Sequence, residues 1–185
     1  MTTILGISGS LRRGSCNTSL LRAAAALVPE GTTLDIVSLH GIPLYDGDLE
    51  TESGLPEAVR ALKGRLADAD GLLLATPEYN NSVPGVLKNA MDWLSRPGGK
   101  VERVFTDRPV ALMGATPGLG GTLLAQAAWL PVLRTLGTRA WFGGRMQVSN
   151  AGKVFDAEGA LIDDKVRGQL QAFMAGFAAF IHPAK

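Results

Sequence analysis

Three stretches rich in glycine, serine and asparagine hold most of the side chains that could bind or react. Residues 9–17 read GSLRRGSCN and run directly into helical spacing. The free amides of a helix start, with Ser10, Ser15 and Asn17 as donors and Arg12 beside them, suit a terminal phosphate. The stretch lacks the Gly-Lys-Ser/Thr ending of a triphosphate loop and does not fit G-x-G-x-x-G. A Ser/Gly turn capping a helix, flanked by two solvated arginines, explains the same residues equally well. Residues 76–84 read TPEYNNSVP. Pro77 and Pro84 stiffen the ends, while Tyr79, Asn80 and Asn81 offer an aromatic face and amide donors to a planar polar ligand. The plainer alternative is a rigid turn in which Asn81 and Ser82 cap the next helix. Residues 115–121, ATPGLGG, carry little chemistry but enough glycine to let backbone approach a ligand, or simply to turn tightly from strand to helix.

Other chemistries find no support. Cys16 is the one cysteine, so no internal disulfide forms, and with His40 and His182 it cannot build a zinc cluster. Asp46, Asp48 and Glu50 lack the spacing of a calcium loop and read as a solvated segment. Cys16 and Arg22 match the spacing of a phosphatase loop, but residues 17–22 already read as helix, so the match is one of chance. Paired carboxylates placed for acid–base work are missing. A pocket without such machinery commonly leaves the chemistry to a bound cofactor.

The elements that must position these loops follow from hydrophobic spacing. Strands are predicted at 3–8, 33–39, 71–75, 109–115 and 138–142, and helices from Asn17 to about 28, at 56–67, 85–95, from the 116–121 loop to 136, and at 163–181. Residues 41–54 and 96–108 read as loops, and 143–162 as irregular with a short extension of the last strand. The run GLLLA at 71–75 is apolar on both alternations, as a buried parallel strand should be. Five strands alternating with five helices predict a doubly wound parallel α/β sheet forming a single domain over 1–185. Ligands of such sheets sit outside the carboxyl ends of the strands, where strand order reverses, and the three loops fall there. Trp129 and Trp141 read as packing residues.

Composition narrows the class further. The 185 residues carry 18 Lys+Arg against 17 Asp+Glu, a net charge of +1, so no nucleic-acid partner is expected. Glycine numbers 23, where average usage would give about 13. The apolar run 173–181 falls short of the roughly 20 residues of a membrane span. Met1–Leu5 lacks a basic leader, and a soluble, cytoplasmic-type protein is expected.

GSLRRGSCN together with TPEYNNSVPGVLKNAMDWLSRP resembles the NADPH-dependent FMN reductase family, the flavodoxin-like group that includes bacterial quinone and chromate reductases. The likeness runs over nearly the whole chain. It implies a flavodoxin-like five-stranded sheet of order 2-1-3-4-5, one non-covalent FMN, and NADPH or NADH as reductant. By position, Ser10, Arg12, Ser15 and Asn17 would hold the phosphate. Pro77, Glu78, Tyr79 and Asn80 would border the ribityl chain and isoalloxazine, and the 116–121 loop, with Thr116, Gly118 and Gly120, would line the other ring edge. Many relatives carry Ser where Thr116 and Pro117 stand, a departure at one ring-edge contact.

The implied activity is ping-pong hydride transfer from NAD(P)H through FMN to a quinone, chromate, an azo compound or free flavin, with no residue acting as obligatory acid or base. The alternative is a flavodoxin-type electron carrier without NAD(P)H turnover; Arg12, Arg13 and the near-zero net charge favour the enzyme. On a helical wheel, the apolar residues of 86–94 cover roughly 160°, where a helix on one sheet face needs about 100°. The helix ending at 136 is apolar on two sides. With the resemblance, this predicts a homodimer or homotetramer; a monomer in which 143–162 folds over that surface is the alternative.

Overall fold

The apolar run GLLLA sets the centre of the sheet. In the computed structural model, which describes residues 1–97 and 104–182, the strands are β1 (Thr2–Ser8), β2 (Thr32–Val37), β3 (Gly71–Ala75), β4 (Pro109–Ala115), β5 (Arg139–Ala140) and β6 (Met146–Val148). The helices are α1 (Cys16–Ala25), α2 (Gly47–Ser53), α3 (Glu57–Asp68), α4 (Gly85–Leu94), α5 (Leu123–Thr135), α6 (Ala151–Val154) and α7 (Asp164–Ile181). These strands all pair in parallel, and the order is β2-β1-β3-β4-β5, with β6 also on β4. Registers such as Ile7↔Leu74 and Leu74↔Leu112 keep the strand ends level. Five fully buried residues make β3 the centre, as its double apolar alternation required.

Two cores result, one on each face. Leu20, Leu21 and Ala24 of α1 pack with Phe173, Met174 and Phe177 of α7. On the opposite face, Leu62 and Leu66 of α3 join Leu87, Ala90 and Met91 of α4 and Trp129 and Leu133 of α5. Both tryptophan expectations hold: Trp129 is buried, and Trp141 meets Phe173 edge-on at 5.0 Å.

Three local features differ from expectation. The fifth sheet position is split between β5 and β6, because the chain leaves the ladder at Trp141. That ring lies so close to Gly143 and Gly176 that an added Cβ would come within 2.5 and 2.8 Å of it. Residues 41–54, expected as loop, contain α2; Asp46 caps it by accepting from the Asp48 N–H at 2.9 Å. No residue of α2 is buried, so apolar spacing could not announce it. The wide apolar arc of α4 has its cover within the chain. Trp93 is fully buried, its indole N–H donates to Pro43 O at 2.9 Å, and Tyr45 packs edge-on at 4.9 Å. The expected loop at 96–108 lies partly outside the described residues.

Gly114 of β4 marks where α5 and the 76–78 segment press on the sheet. A Cβ there would stand 1.9 Å from Thr122 Oγ1 and 2.5 Å from Thr76 O. Gly114→Ala is therefore expected to destabilise by about 2–3 kcal/mol in urea unfolding. Gly64→Ala, in open space on α3, should instead stabilise by up to about 1 kcal/mol.

Candidate functional site

The chain turns away from the sheet after Ser8, Ala75 and Ala115, at one end of three adjacent strands. Gly9 N–H donates to Ala75 O, and Thr76 N–H to Met113 O, each at 2.8 Å, so the ladder continues into the loops. Ser10, Arg12, Ser15 and Asn17 line one cleft with Pro77, Glu78, Tyr79 and Thr116. It is a shallow, open cleft of about 100 Å³. Asn80, Gly118 and Gly120 are exposed and lie outside that lining. Cys16, Ala115 and Pro117 complete it.

At one end stands the start of α1. Ser15 is its N-cap, accepting from the Thr18 N–H at 3.3 Å, while Ser10 Oγ accepts from the Arg12 N–H at 3.3 Å. Both hydroxyls keep a proton to donate, and the exposed Arg12 guanidinium adds charge. First-turn amides have no carbonyl four residues back to serve, and they concentrate the helix's positive end here. Cys16 opens the helix, so the residues from Cys16 to Arg22 cannot form the phosphatase loop that their spacing allowed.

Two polar residues selected from sequence do structural work that their spacing could not reveal. Asn17 is buried; its side-chain amide donates to Ala115 O at 2.9 Å and its carbonyl accepts from Ala115 N–H at 3.0 Å. The first loop is thus clamped to the third. Glu78 accepts from Leu124 and Ala125 N–H at 2.8 and 3.0 Å. Thr122 starts α5 in a left-handed conformation without a side-chain cap bond, so Glu78 supplies the cap from the second loop, with its charge at the favourable helix end. Beneath them, Trp129 Nε1–H donates to Thr76 Oγ1 at 3.0 Å, and that hydroxyl donates to Pro77 O at 2.9 Å.

The opposite end is backbone and one aromatic ring. Tyr79 and Ser82 exchange backbone bonds around Asn80 and Asn81, whose φ angles of 50° and 60° make a type I′ turn. This turn, rather than a cap from Asn81 or Ser82, shapes the segment, since Pro84 stands at the N-cap of α4. Residues 117–120 are exposed, but Thr116 Oγ1 accepts from Gly118 N–H at 3.3 Å, and the carbonyls of Gly118, Leu119 and Gly120 accept from Asn150 N–H, Ser149 Oγ–H and Leu123 N–H. Among the described residues, no group of three potential metal ligands occurs, and no helix is long and apolar enough to cross a membrane.

Sheet order and flanking helices define a flavodoxin-like protein. The chain belongs to the NADPH-dependent FMN reductase family, whose model matches residues 2–153. It is 44% identical over 168 residues to an NAD(P)H-dependent FMN reductase of Pseudomonas aeruginosa, covering 91% of this chain and 89% of that one. Identity to a 2-hydroxy-1,4-benzoquinone reductase of Burkholderia is 41% over 175 residues, covering 95% and 93%. Among solved structures, a flavoenzyme NAD(P)H:(acceptor) oxidoreductase of Paracoccus denitrificans superposes with a TM-score of 0.87 at 32% identity, covering 98% and 97%.

The residues present fit FMN. Donors and a guanidinium gather where a phosphate would lie, and the 117–120 shelf lacks bulky polar groups that would compete with a ring. Asn17→Ala would leave the buried Ala115 amide and carbonyl unpaired. It is expected to cost about 2 kcal/mol of apoprotein stability, against less than about 0.5 kcal/mol for Arg12→Ala. Urea denaturation without flavin checks both.

Proposed function

We infer that this chain is an FMN-dependent NAD(P)H oxidoreductase that reduces quinones. One observation carries the reading: a phosphate-suited helix start and the exposed start of the 117–120 segment border one cleft where, among the described residues, Glu78 is the one carboxylate and already caps α5. Such a cleft can bind and orient but offers no free acid–base pair. The curated relatives named for FMN and benzoquinone reduction support the same substrate class.

Ser10, Arg12 and Ser15, with the amides of Cys16 and Asn17, would hold the phosphate. Pro77, Glu78, Tyr79 and Asn80 would border the ribityl chain and ring, the last two from the stiff I′ turn, and Thr116, Gly118 and Gly120 would line the far edge. Bound FMN supplies the two-electron exchange between nucleotide and acceptor. The protein's part is to fix the phosphate, present amide dipoles toward the ring and leave one face open. Tyr79 and Leu119, 47% and 82% exposed, flank that opening. A second flat substrate can stack there once the first has left, and chromate, azo compounds or free flavin would meet the same face. Dependence on NAD(P)H suits a cytoplasmic enzyme, and the two cores on one sheet suit a single domain over 1–185.

An oligomer, dimer or tetramer, fits the surface that α5 leaves. Residues 146–161 pack mostly with α1 and α7, and Leu123, Leu124, Leu130 and Phe142 stay exposed. With α4 covered internally, this case rests on α5 alone. Light scattering of the FMN-loaded protein at micromolar concentration should give twice or four times 19.4 kDa; the monomer mass would refute it.

Two measurements test the enzyme reading. Steady-state double-reciprocal plots with a benzoquinone should be parallel, and intersecting lines would require both substrates to bind together. Arg12→Ala should weaken FMN by about tenfold or more while changing riboflavin less than twofold, as loss of a charge-assisted phosphate contact demands; equal losses would place the phosphate elsewhere.

A further inference from the structure

The corner between β6 and α6 braces residues 116–119 through four hydrogen bonds. Thr116 N–H donates to Val148 O at 2.9 Å, and Ala151 N–H donates back to Thr116 O at 3.0 Å. Asn150 N–H donates to Gly118 O at 2.9 Å. The fourth bond uses a side chain: Ser149 Oγ donates to Leu119 O at 2.7 Å. Backbone amides make the other three, and every residue except proline can supply one. Among the described residues, Ser149 is the one side-chain donor to this segment. A single hydroxyl therefore fixes the peptide between Leu119 and Gly120.

Fixing that carbonyl also aims an amide. The peptides on both sides of Leu119 are trans, and in a trans unit the N–H and C=O point in opposite directions. With Gly118 O turned to Asn150 and Leu119 O turned to Ser149, the N–H groups of Leu119 and Gly120 face away from the brace. Among the described residues, neither donates a hydrogen bond. Two adjacent amides are thus held free on a segment that borders the cofactor cleft through Thr116 and Pro117. Little else restrains them. Gly120 O accepts from Leu123 N–H at 3.0 Å, which ties the far end to α5. In between, glycines on both sides of Leu119 leave the backbone mobile, and the Leu119 side chain is too exposed to anchor it by packing.

We propose that Ser149, which lies outside the cleft lining, is a positioning residue for the ring of the bound flavin. Through Leu119 O it holds the Leu119 and Gly120 amides ready to donate to the polar edge of that ring. The proposal rests on the FMN reading of the cleft and deepens it. The ring is common to FMN and riboflavin, whereas the phosphate belongs to FMN alone, so a residue that serves the ring affects both flavins alike.

Ser149→Ala and Ser149→Thr test it in the whole chain without flavin, titrated with FMN and with riboflavin by flavin fluorescence. Ser149→Ala should weaken both flavins by the same factor, about fivefold, as loss of one oriented hydrogen bond demands. Ser149→Thr keeps a hydroxyl and should bind both within about twofold of the parent. The equal factor separates ring positioning from a general loosening of the cleft, which would cost FMN its phosphate contacts as well and weaken it more than riboflavin. Unchanged binding of both flavins by Ser149→Ala, a loss confined to FMN, or failure of Ser149→Thr to restore binding would each overturn the proposal. A parent that binds neither flavin would refute the FMN reading and the proposal with it. A parent that binds both, matched by Ser149→Ala, would refute the proposal alone.

Discussion

Three loops with almost no apolar anchor must be held at fixed spacing while the space between them stays empty. Glycine-rich backbone loses more freedom than any other on ordering, so its restraint has to come from outside the cleft. Asn17 supplies one restraint through its paired bonds to Ala115, 98 residues away. Glu78 supplies another by capping α5, and the Trp129–Thr76–Pro77 series a third from beneath. Each joins elements distant in sequence, and each of the first two uses a polar side chain that would otherwise compete for ligand. With those groups satisfied internally, the helix start, the exposed Arg12 and Pro117 remain at the cleft.

On the proposed reading, this division lets a bound cofactor carry the redox chemistry while the side chains around it hold the loops. A carboxylate fixed by two amides, as Glu78 is, makes a poor proton shuttle but a good strut. Tyr45, outside the cleft, shows the same habit. Its hydroxyl donates to Glu50 at 2.9 Å, and that bond holds the phenol above its ordinary pKa. The ring thereby stays a neutral packing partner for Trp93, and the segment that carries it covers α4.

Much of the fold was legible in the sequence because parallel strands buried on both faces leave unbroken apolar runs, and 71–75 and 109–115 are such runs. The cleft was legible because Ser, Asn and Gly cluster at the ends of those runs. The roles of Asn17 and Glu78 were not: bonds to backbone 98 and 46 residues away leave no periodic trace, and a polar loop residue reads as a ligand donor. Asn80–Asn81 did carry a turn signal, since both tolerate positive φ, but their side-chain amides read equally well as ligand donors. The apolar arc of α4 overstated its unburied surface, because Pro43 and Tyr45 cover it from a segment whose composition resembles solvent-facing loop. The split of β5 and β6 follows from where one indole ring packs, which no residue spacing encodes.

A single cleft that holds FMN and accepts electrons from a nicotinamide nucleotide is open to a direct test by anaerobic spectrophotometry of the FMN-loaded protein. One FMN per chain should bind, its yellow absorbance should bleach when NADPH is added under argon, and a benzoquinone should restore it. A protein that binds FMN tightly yet keeps its oxidised spectrum in excess NADPH and NADH would be an electron carrier, and that result would contradict the reductase reading of the cleft.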